Sequence, residues 1–169
     1  MLIVFGGLPG TGKTTIAREL ARQLGAVHLR IDSIEQAIKD CEAPNWPLDE
    51  AGYRVGYAIA EDNLRLGHTV IADSVNPLPV TRNAWVEVAK HARTSVMEIE
   101  VTCSDVNEHQ NRIETRTTDI PGLRLPTWRE VVCREYHPWI RERTVVDTAR
   151  QSVEQSVKML LEAIGKRKE

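Results

Sequence analysis

Gly7-Leu8-Pro9-Gly10-Thr11-Gly12-Lys13-Thr14 satisfies the pattern GxxxxGK[ST] at every fixed position. The residues before it, Leu2–Phe5, form a short, continuously apolar run suited to a buried parallel strand. After it, Ile16, Ala17, Leu20, Ala21 and Leu24 recur at helical spacing, and Gly25 is a natural stop. Strand, glycine loop and helix thus stand in the order that phosphate binding requires. Glycines let backbone N–H groups approach phosphate oxygens, and the helix adds unsatisfied N-terminal donors and the positive end of its dipole. The candidate nucleotide-binding residues are Gly7, Leu8, Pro9, Gly10, Thr11, Gly12, Lys13, Thr14 and Thr15. Lys13 is expected to bridge the β- and γ-phosphates of ATP, and the Thr14 hydroxyl to complete the shell of a bound Mg²⁺. The competing interpretation is a plain strand-to-helix turn with a solvated lysine, and the full match in this context disfavours it.

Outward from the loop, Val27, Leu29 and Ile31 alternate with His28 and Arg30, predicting a second strand with Asp32 at its carboxyl end. A helix is expected from about Ser33 to Asp40, an ordered loop over Cys41–Pro47 and a longer helix over about Asp49–Leu66, ended by Gly67. Thr69–Ala72 is the third strand, followed directly by Asp73, a loop over Ser74–Pro79 and a helix containing Ala84, Trp85, Val88 and Ala89. In Val96–Cys103, apolar Met97, Ile99 and Val101 and Cys103 alternate with Glu98, Glu100 and Thr102, which predicts a strand with one polar face. That is unusual for a central parallel strand. A helix over about Asp105–Thr117 precedes a Gly- and Pro-containing segment, and Thr127-Trp128-Arg129-Glu130 is a capping-box pattern. Val145-Val146 is a short last strand, and Ser152 with Gln155 caps a helix with Val153, Val157, Leu160, Leu161 and Ile164 along one stripe. The alternation predicts an α/β fold, a parallel sheet with helices on both faces. Residues 1–169 are expected to form one domain, with a lid at about 117–127.

Ligands of an open parallel sheet bind beyond the carboxyl ends of its strands, where Asp32 and Asp73 are both expected. Asp32 is assigned as the base that orients an acceptor hydroxyl and takes its proton, and Asp73 joins Thr14 as a magnesium residue. Each has a structural alternative: Asp32-Ser33-Ile34-Glu35 also reads as an N-cap with a capping-box glutamate, and Asp73 as a turn aspartate before Asn76-Pro77. Arg112 and Arg116 share a helix face, with Arg124 in the segment beyond, and could grip phosphate or stack on adenine during transfer. A solvated face with Glu108 paired to Arg112 is the alternative. Lys13, Asp32, Arg112 and Arg116 are therefore the catalytic candidates.

The 22 basic and 24 acidic residues leave a formal charge of −2, without the broad positive field of a non-specific nucleic-acid binder. The opening apolar run is too short for a secretory signal and lacks a basic leader, and no stretch approaches membrane-spanning length. A cytoplasmic protein with no membrane partner is expected. Cys41, Cys103 and Cys133 show no CxxC spacing, and His28, His68, His91, His109 and His137 show no ligand spacing, so none is assigned to a metal.

These residues together resemble the P-loop kinases that include polynucleotide kinase, chloramphenicol phosphotransferase, gluconate kinase and zeta-toxin kinases, and the bacterial proteins often labelled AAA-family ATPases of predicted kinase type. The likeness rests on Gly7–Thr14, Arg30-Ile31-Asp32-Ser33, Val70–Pro77 with Arg82 and Trp85 beyond, and Arg112 and Arg116. It implies the P-loop NTPase fold with five strands ordered 2-3-1-4-5. It also implies that Asp32 activates the acceptor, that Arg112 or Arg116 contacts adenine or phosphate, and that Thr148-Ala149-Arg150 lies near adenine, which makes Arg150 a cofactor-binding candidate. The short chain shows Asp73-Ser74 in place of a Walker B acidic pair, which disfavours a ring motor.

The leading expectation is an ATP-dependent kinase acting on a hydroxyl of a small molecule. Alternatives are a polynucleotide 5′-hydroxyl kinase, for which Arg30, Trp46, Arg54 and Arg82 could form a basic and aromatic mouth, a nucleotide kinase, or a non-catalytic ATP-binding switch. Nucleic acid is not favoured by the charge, and neither the acceptor nor an oligomeric state follows from the sequence.

Overall fold

A computed structural model describes residues 1–41 and 48–166. Five strands, β1 (Leu2–Gly6), β2 (Val27–Arg30), β3 (Val70–Asp73), β4 (Val96–Thr102) and β5 (Thr144–Asp147), form one parallel sheet in the order β2-β3-β1-β4-β5. The helices are α1 (Lys13–Leu24), α2 (Ile31–Asp40), α3 (Leu48–Arg65), α4 (Pro79–His91), α5 (Val106–Thr115), α6 (Trp128–Val132) and α7 (Val153–Lys166). The expected order of strands is observed, and β1 lies at its centre. No helix among the described residues is long and apolar enough to cross a membrane.

Period-two alternation divides the core into two layers. Ile3, Phe5, Ile71, Met97 and Ile99 meet Ile16 and Leu20 of α1 and Val157, Leu160 and Ile164 of α7. On the opposite face, Leu2, Val4, Val70 and Ala72 meet Ala60 and Leu64 of α3 and Trp85, Val88 and Ala89 of α4. With both faces covered, β1 is buried throughout, and its end delivers the glycine loop to the carboxyl edge of the sheet.

The second strand ends earlier than alternation predicts. Ile31 and Asp32 already lie in the first turn of α2, whose N-cap is Arg30 without a side-chain cap bond. The N-cap alternative for Asp32 is therefore incorrect, although a carboxylate in the first turn still complements the helix dipole. The expected Cys41–Pro47 loop lies outside the described residues apart from Cys41 itself.

The polar face of β4 is buried rather than solvated. Glu98 receives hydrogen bonds from Arg141 at 2.8 and 2.6 Å, and Glu100 receives one from Arg143 at 2.6 Å and one from the Tyr136 hydroxyl at 3.3 Å. A charged strand is tolerated beside β1 because residues 136–143 bring partners to its carboxylates. The same segment seats Trp139 over Gly6, where an added Cβ would lie 2.5 Å from the indole Cζ2.

Asn76 ties the ends of β1 and β3 to α4. It is fully buried at φ 48°. Its amide Nδ2 donates to the Phe5 carbonyl at 2.7 Å and its Oδ1 accepts from Trp85 Nε1 at 3.1 Å. Asn tolerates the left-handed region better than most residues. Asn76→Ala should leave both partners unsatisfied in the core and lower unfolding free energy by about 2–4 kcal/mol. Urea denaturation checks this, and a loss below about 0.5 kcal/mol would contradict the anchoring role.

Candidate active site

The loop between β1 and α1 is shaped by what surrounds it. At Gly7, φ is 141° and an added Cβ would lie 2.2 Å from the Val101 carbonyl oxygen, so the backbone of β4 leaves no room for a side chain. Gly12 caps α1 at φ 89° with no side-chain hydrogen bond. The first amides of α1, on Lys13, Thr14 and Thr15, consequently have no intrahelical acceptor and stand at a cleft these residues line. The Thr11 hydroxyl donates to Leu8 O at 2.9 Å, Gly7 N–H donates to Val75 O at 3.0 Å, and His109 Nε2 lies 2.7 Å from Pro9 O. Gly7, Leu8 and Thr11 thus form the floor of the loop, while Pro9, Gly10 and Gly12–Thr15 line the cleft.

Lys13 is buried, and desolvation pushes its ammonium pKa down, against the raising effect of Asp73 and Asp32 and with a further lowering from Arg116 and Arg30. Asp73 is also buried. Burial pushes its carboxyl pKa up, but the His28 hydrogen bond, the Lys13 charge and the Thr14 hydroxyl outweigh it and hold the pKa below the ordinary value. His28 Nε2 lies 3.3 Å from Asp73 Oδ2, whereas Asp73 Oδ1 is buried without a hydrogen-bond partner. An ionised carboxylate with one oxygen anchored and the other unmatched, next to the Thr14 hydroxyl, fits a Mg²⁺ ion completed by water and phosphate oxygens.

The cleft measures about 820 Å³. One wall contains Arg30, Asp32, Glu35 and Lys39 from β2 and α2; others contain Arg112 and Arg116 near the end of α5, residues 117–119 and 123–126, and Thr148. Lys13, Asp32, Arg112 and Arg116 are brought together around one space. Arg112 donates to Thr148 Oγ1 at 2.8 Å and Thr148 O at 3.1 Å and also pairs with Glu108, so the expected helix pair and a position beside the loop coexist. Thr148 in turn reaches Thr11 O at 2.9 Å. Arg116 is partly buried; desolvation pushes its pKa down while Asp32 raises it, and its Nε has no partner.

Two groups of candidates are not gathered there. Arg150 is 79% exposed, pairs with Asp147 and lies outside the cleft lining. The proposed basic mouth does not assemble: Arg82 is buried and donates to the carbonyls of Asn76, Pro77, His137 and Pro138, Arg54 is exposed on α3, and Trp46 lies outside the described residues. Arg82 is instead clamped under Trp139, 4.2 Å from its ring centroid. Sequence reasoning missed His28 and His109. Alternation placed His28 on one strand face with Arg30, a usable signal, whereas His109 meets Pro9 across 100 positions and carries none.

A family model described as AAA domain matches residues 2–135. The "Putative adenylate kinase" of Pyrococcus furiosus is 32% identical over 136 residues, covering 70% of this chain and 76% of that protein. The Mycobacterium tuberculosis APS kinase, solved with AMPPNP and APS, superposes with a TM-score of 0.75 at 16% identity, covering 97% of this chain and 96% of that one. A gluconokinase from Sinorhizobium meliloti gives 0.65 at 18% identity, covering 97% and 91%.

Two outcomes follow from the geometry. Because Asp32 lies inside the first turn of α2, Asp32→Asn and Asp32→Ala should destabilise alike, by about 0.3–1 kcal/mol of lost dipole interaction. A capping role would require Asn to retain the stability that Ala loses, which paired thermal melts resolve. Asp73→Asn should weaken the Mg²⁺-dependent part of AMPPNP affinity by roughly 10-fold or more. Calorimetric titration with and without Mg²⁺ measures it, and an unchanged Mg²⁺ effect would remove Asp73 from the metal site.

Proposed function

The chain belongs to the AAA domain family of P-loop kinases, and on that premise we propose that it transfers the γ-phosphoryl group of ATP to a hydroxyl of a small molecule. The observation that carries this reading is the meeting of a phosphate loop, the buried Lys13 and the carboxylate of Asp32 in one cleft. A nucleotide-dependent switch needs the first two. It has no use for a further carboxylate in that cleft.

In the proposed reaction the amides of Lys13, Thr14 and Thr15 hold the phosphates, and Lys13 neutralises charge between the β- and γ-groups. The acceptor oxygen forms a bond to γ-phosphorus as the bond to the β–γ bridging oxygen breaks, leaving ADP with that electron pair. Asp32 orients the attacking hydroxyl and accepts its proton. Arg116, reaching the cleft with an unmatched Nε, and Arg112, fixed by Thr148, stabilise the negative charge on the transferring group. Bound Mg²⁺, which Thr14 and Asp73 would hold, supplies further charge neutralisation.

The lid role proposed for residues 117–127 is supported by Asp119, which pairs with Arg18 of α1 and with Arg30 of β2 at 2.7 Å, spanning the cleft. Those two arginines hold the Asp119 carboxyl far below the usual carboxylate range. A closed lid excludes water, the competing acceptor.

The test is a panel of hydroxylated metabolites, nucleotides, aminoglycosides and oligonucleotides with γ-labelled ATP. Transfer to a small molecule is expected, falling at least 100-fold in Lys13→Ala and about 10²–10⁴-fold in Asp32→Asn with AMPPNP·Mg²⁺ binding retained in the latter. Near-normal turnover in Lys13→Ala, or ATP binding without transfer to any acceptor, would reject the assignment.

A further inference from the structure

The cations of the cleft are unevenly matched. Eight basic side chains line it, among them Lys13 and Arg30, against the acidic Asp32, Glu35 and Asp119, in a chain whose net charge is −2. Near the phosphate loop the basic groups have evident work: Lys13 and Arg116 face the nucleotide, and Arg112 is tied to Thr148 and Glu108. Elsewhere in the cleft they do not. Lys39 and Arg134 have no side-chain ion pair or hydrogen bond among the described residues, and Arg30, which reaches Asp119, keeps a buried and unpartnered Nε.

Their placement relative to Asp32 is informative. Asp32, Glu35 and Lys39 recur on one face of α2, so Lys39 stands about 10 Å farther along the helix axis than Asp32. Arg134 and residues 123–126 line the same space. Lys39 and Arg134 are exposed along this lining, and a neutral acceptor whose hydroxyl met Asp32 would leave them without a counter-charge. An acceptor with a second, negative end would match them. The site already accepts one carboxylate, because Asp119 Oδ1 sits 2.7 Å from Arg30 Nη1.

Building on the phosphotransferase reading, we propose that the acceptor is a small molecule carrying an anionic group besides its hydroxyl, a phosphate, sulfate or carboxylate, and that Arg30, Lys39 and Arg134 receive that group. Guanidinium groups suit such oxyanions because they donate two parallel hydrogen bonds, and Lys39 adds a mobile point charge at the rim. The volume of about 820 Å³ and the Asp119 bridge across it favour a compact ligand over a strand of nucleic acid. Asp119 then has a second consequence: its carboxylate competes with the acceptor's anion for Arg30.

Inorganic phosphate titrated onto protein already saturated with AMPPNP·Mg²⁺ tests the subsite without requiring turnover. Binding is expected in the wild type, weakened at least 10-fold in the Lys39→Gln/Arg134→Gln double variant and in Arg30→Gln. Since Arg30→Gln also breaks the contact with Asp119, Asp119→Asn provides the control. It breaks the same contact but keeps the cation, and should bind phosphate as tightly as wild type or more tightly. Absence of phosphate binding, or equal binding in wild type and both cation variants, overturns the subsite, as does equal weakening in Arg30→Gln and Asp119→Asn. Turnover of matched pairs, ribose with ribose 5-phosphate and glucose with gluconate, alongside a 5′-hydroxyl oligonucleotide, gives the second readout. At least a 10-fold higher kcat/KM for the anionic members is expected. Equal or better use of the neutral members, or transfer confined to the oligonucleotide, overturns the acceptor class. The expected phosphate-binding pattern with no transfer to any acceptor would uphold the anion subsite and reject the phosphotransferase reading.

Discussion

The ammonium of Lys13 is buried at the edge of the sheet among two carboxylates and two guanidinium groups, and much of the architecture follows from keeping it there. Desolvation disfavours its charge, Asp73 and Asp32 restore it, and Arg116 and Arg30 oppose them. A buried cation in such balance is stabilised further by a polyanion, which the free amides of α1 also attract. The position requires α1 to start a short loop, Gly7–Gly12, after the end of β1. That in turn requires a loop with no side chain at Gly7, where the Val101 carbonyl passes within 2.2 Å of an added Cβ. Phosphate chemistry and backbone packing therefore impose the same constraint.

The support of that edge comes largely from polar groups in the core. Asn76 joins β1 to α4 through the Phe5 carbonyl and the Trp85 indole, while Arg82 gathers four carbonyls from two segments distant in sequence. Glu98 and Glu100 meet Arg141 and Arg143 on the same side of the sheet. Apolar side chains of similar volume could have filled this space with comparable stability, since buried ion pairs must first offset desolvation. What directional bonds add is position. Trp139, Asn76 and the end of β1 are held in one arrangement beneath the phosphate loop.

Most of the fold was legible because local pattern and tertiary role agree. Leu2–Phe5, Val70–Ala72 and the Ile16–Ala21 part of the α1 stripe are buried where periodicity places them, and Thr127 with Glu130 forms the capping box its spacing announces. Legibility failed where a local pattern served two structures. Ile31 completes the alternation of β2 yet begins α2, since an apolar residue at that point satisfies either geometry and only the helix turns Asp32 toward Lys13. The alternation of β4 was read correctly, but its polar face could not disclose the arginines some 43 positions away that bury it. Phosphate-loop residues were legible from spacing alone, because backbone donors need only glycine and a helix start. The contact of His109 with Pro9 was not, since it depends on which strands and helices become neighbours.

The two sides of the cleft differ in how far the protein satisfies itself. Toward α5, Arg112 with Thr148 and Thr11, and His109 with Pro9, make hydrogen bonds within the protein, so the shape offered to a nucleotide is held by its own contacts. Preorganised donors cost little to rearrange when a ligand binds. Toward α2 the arrangement is incomplete: Arg30 Nε has no partner, and the carboxylate serving Arg30 belongs to Asp119, in a segment without regular secondary structure. Such a wall gains more from its ligand, because binding adds contacts and also screens repulsion among Arg30, Arg116 and Lys13. If the acceptor's anion is received as proposed, changes at Lys39 and Arg134 would alter recognition without disturbing the loop, since neither supports a described side-chain hydrogen bond. On the proposed reading, nucleotide chemistry rests on interactions that the fold itself needs, and the choice of acceptor on groups the fold can spare.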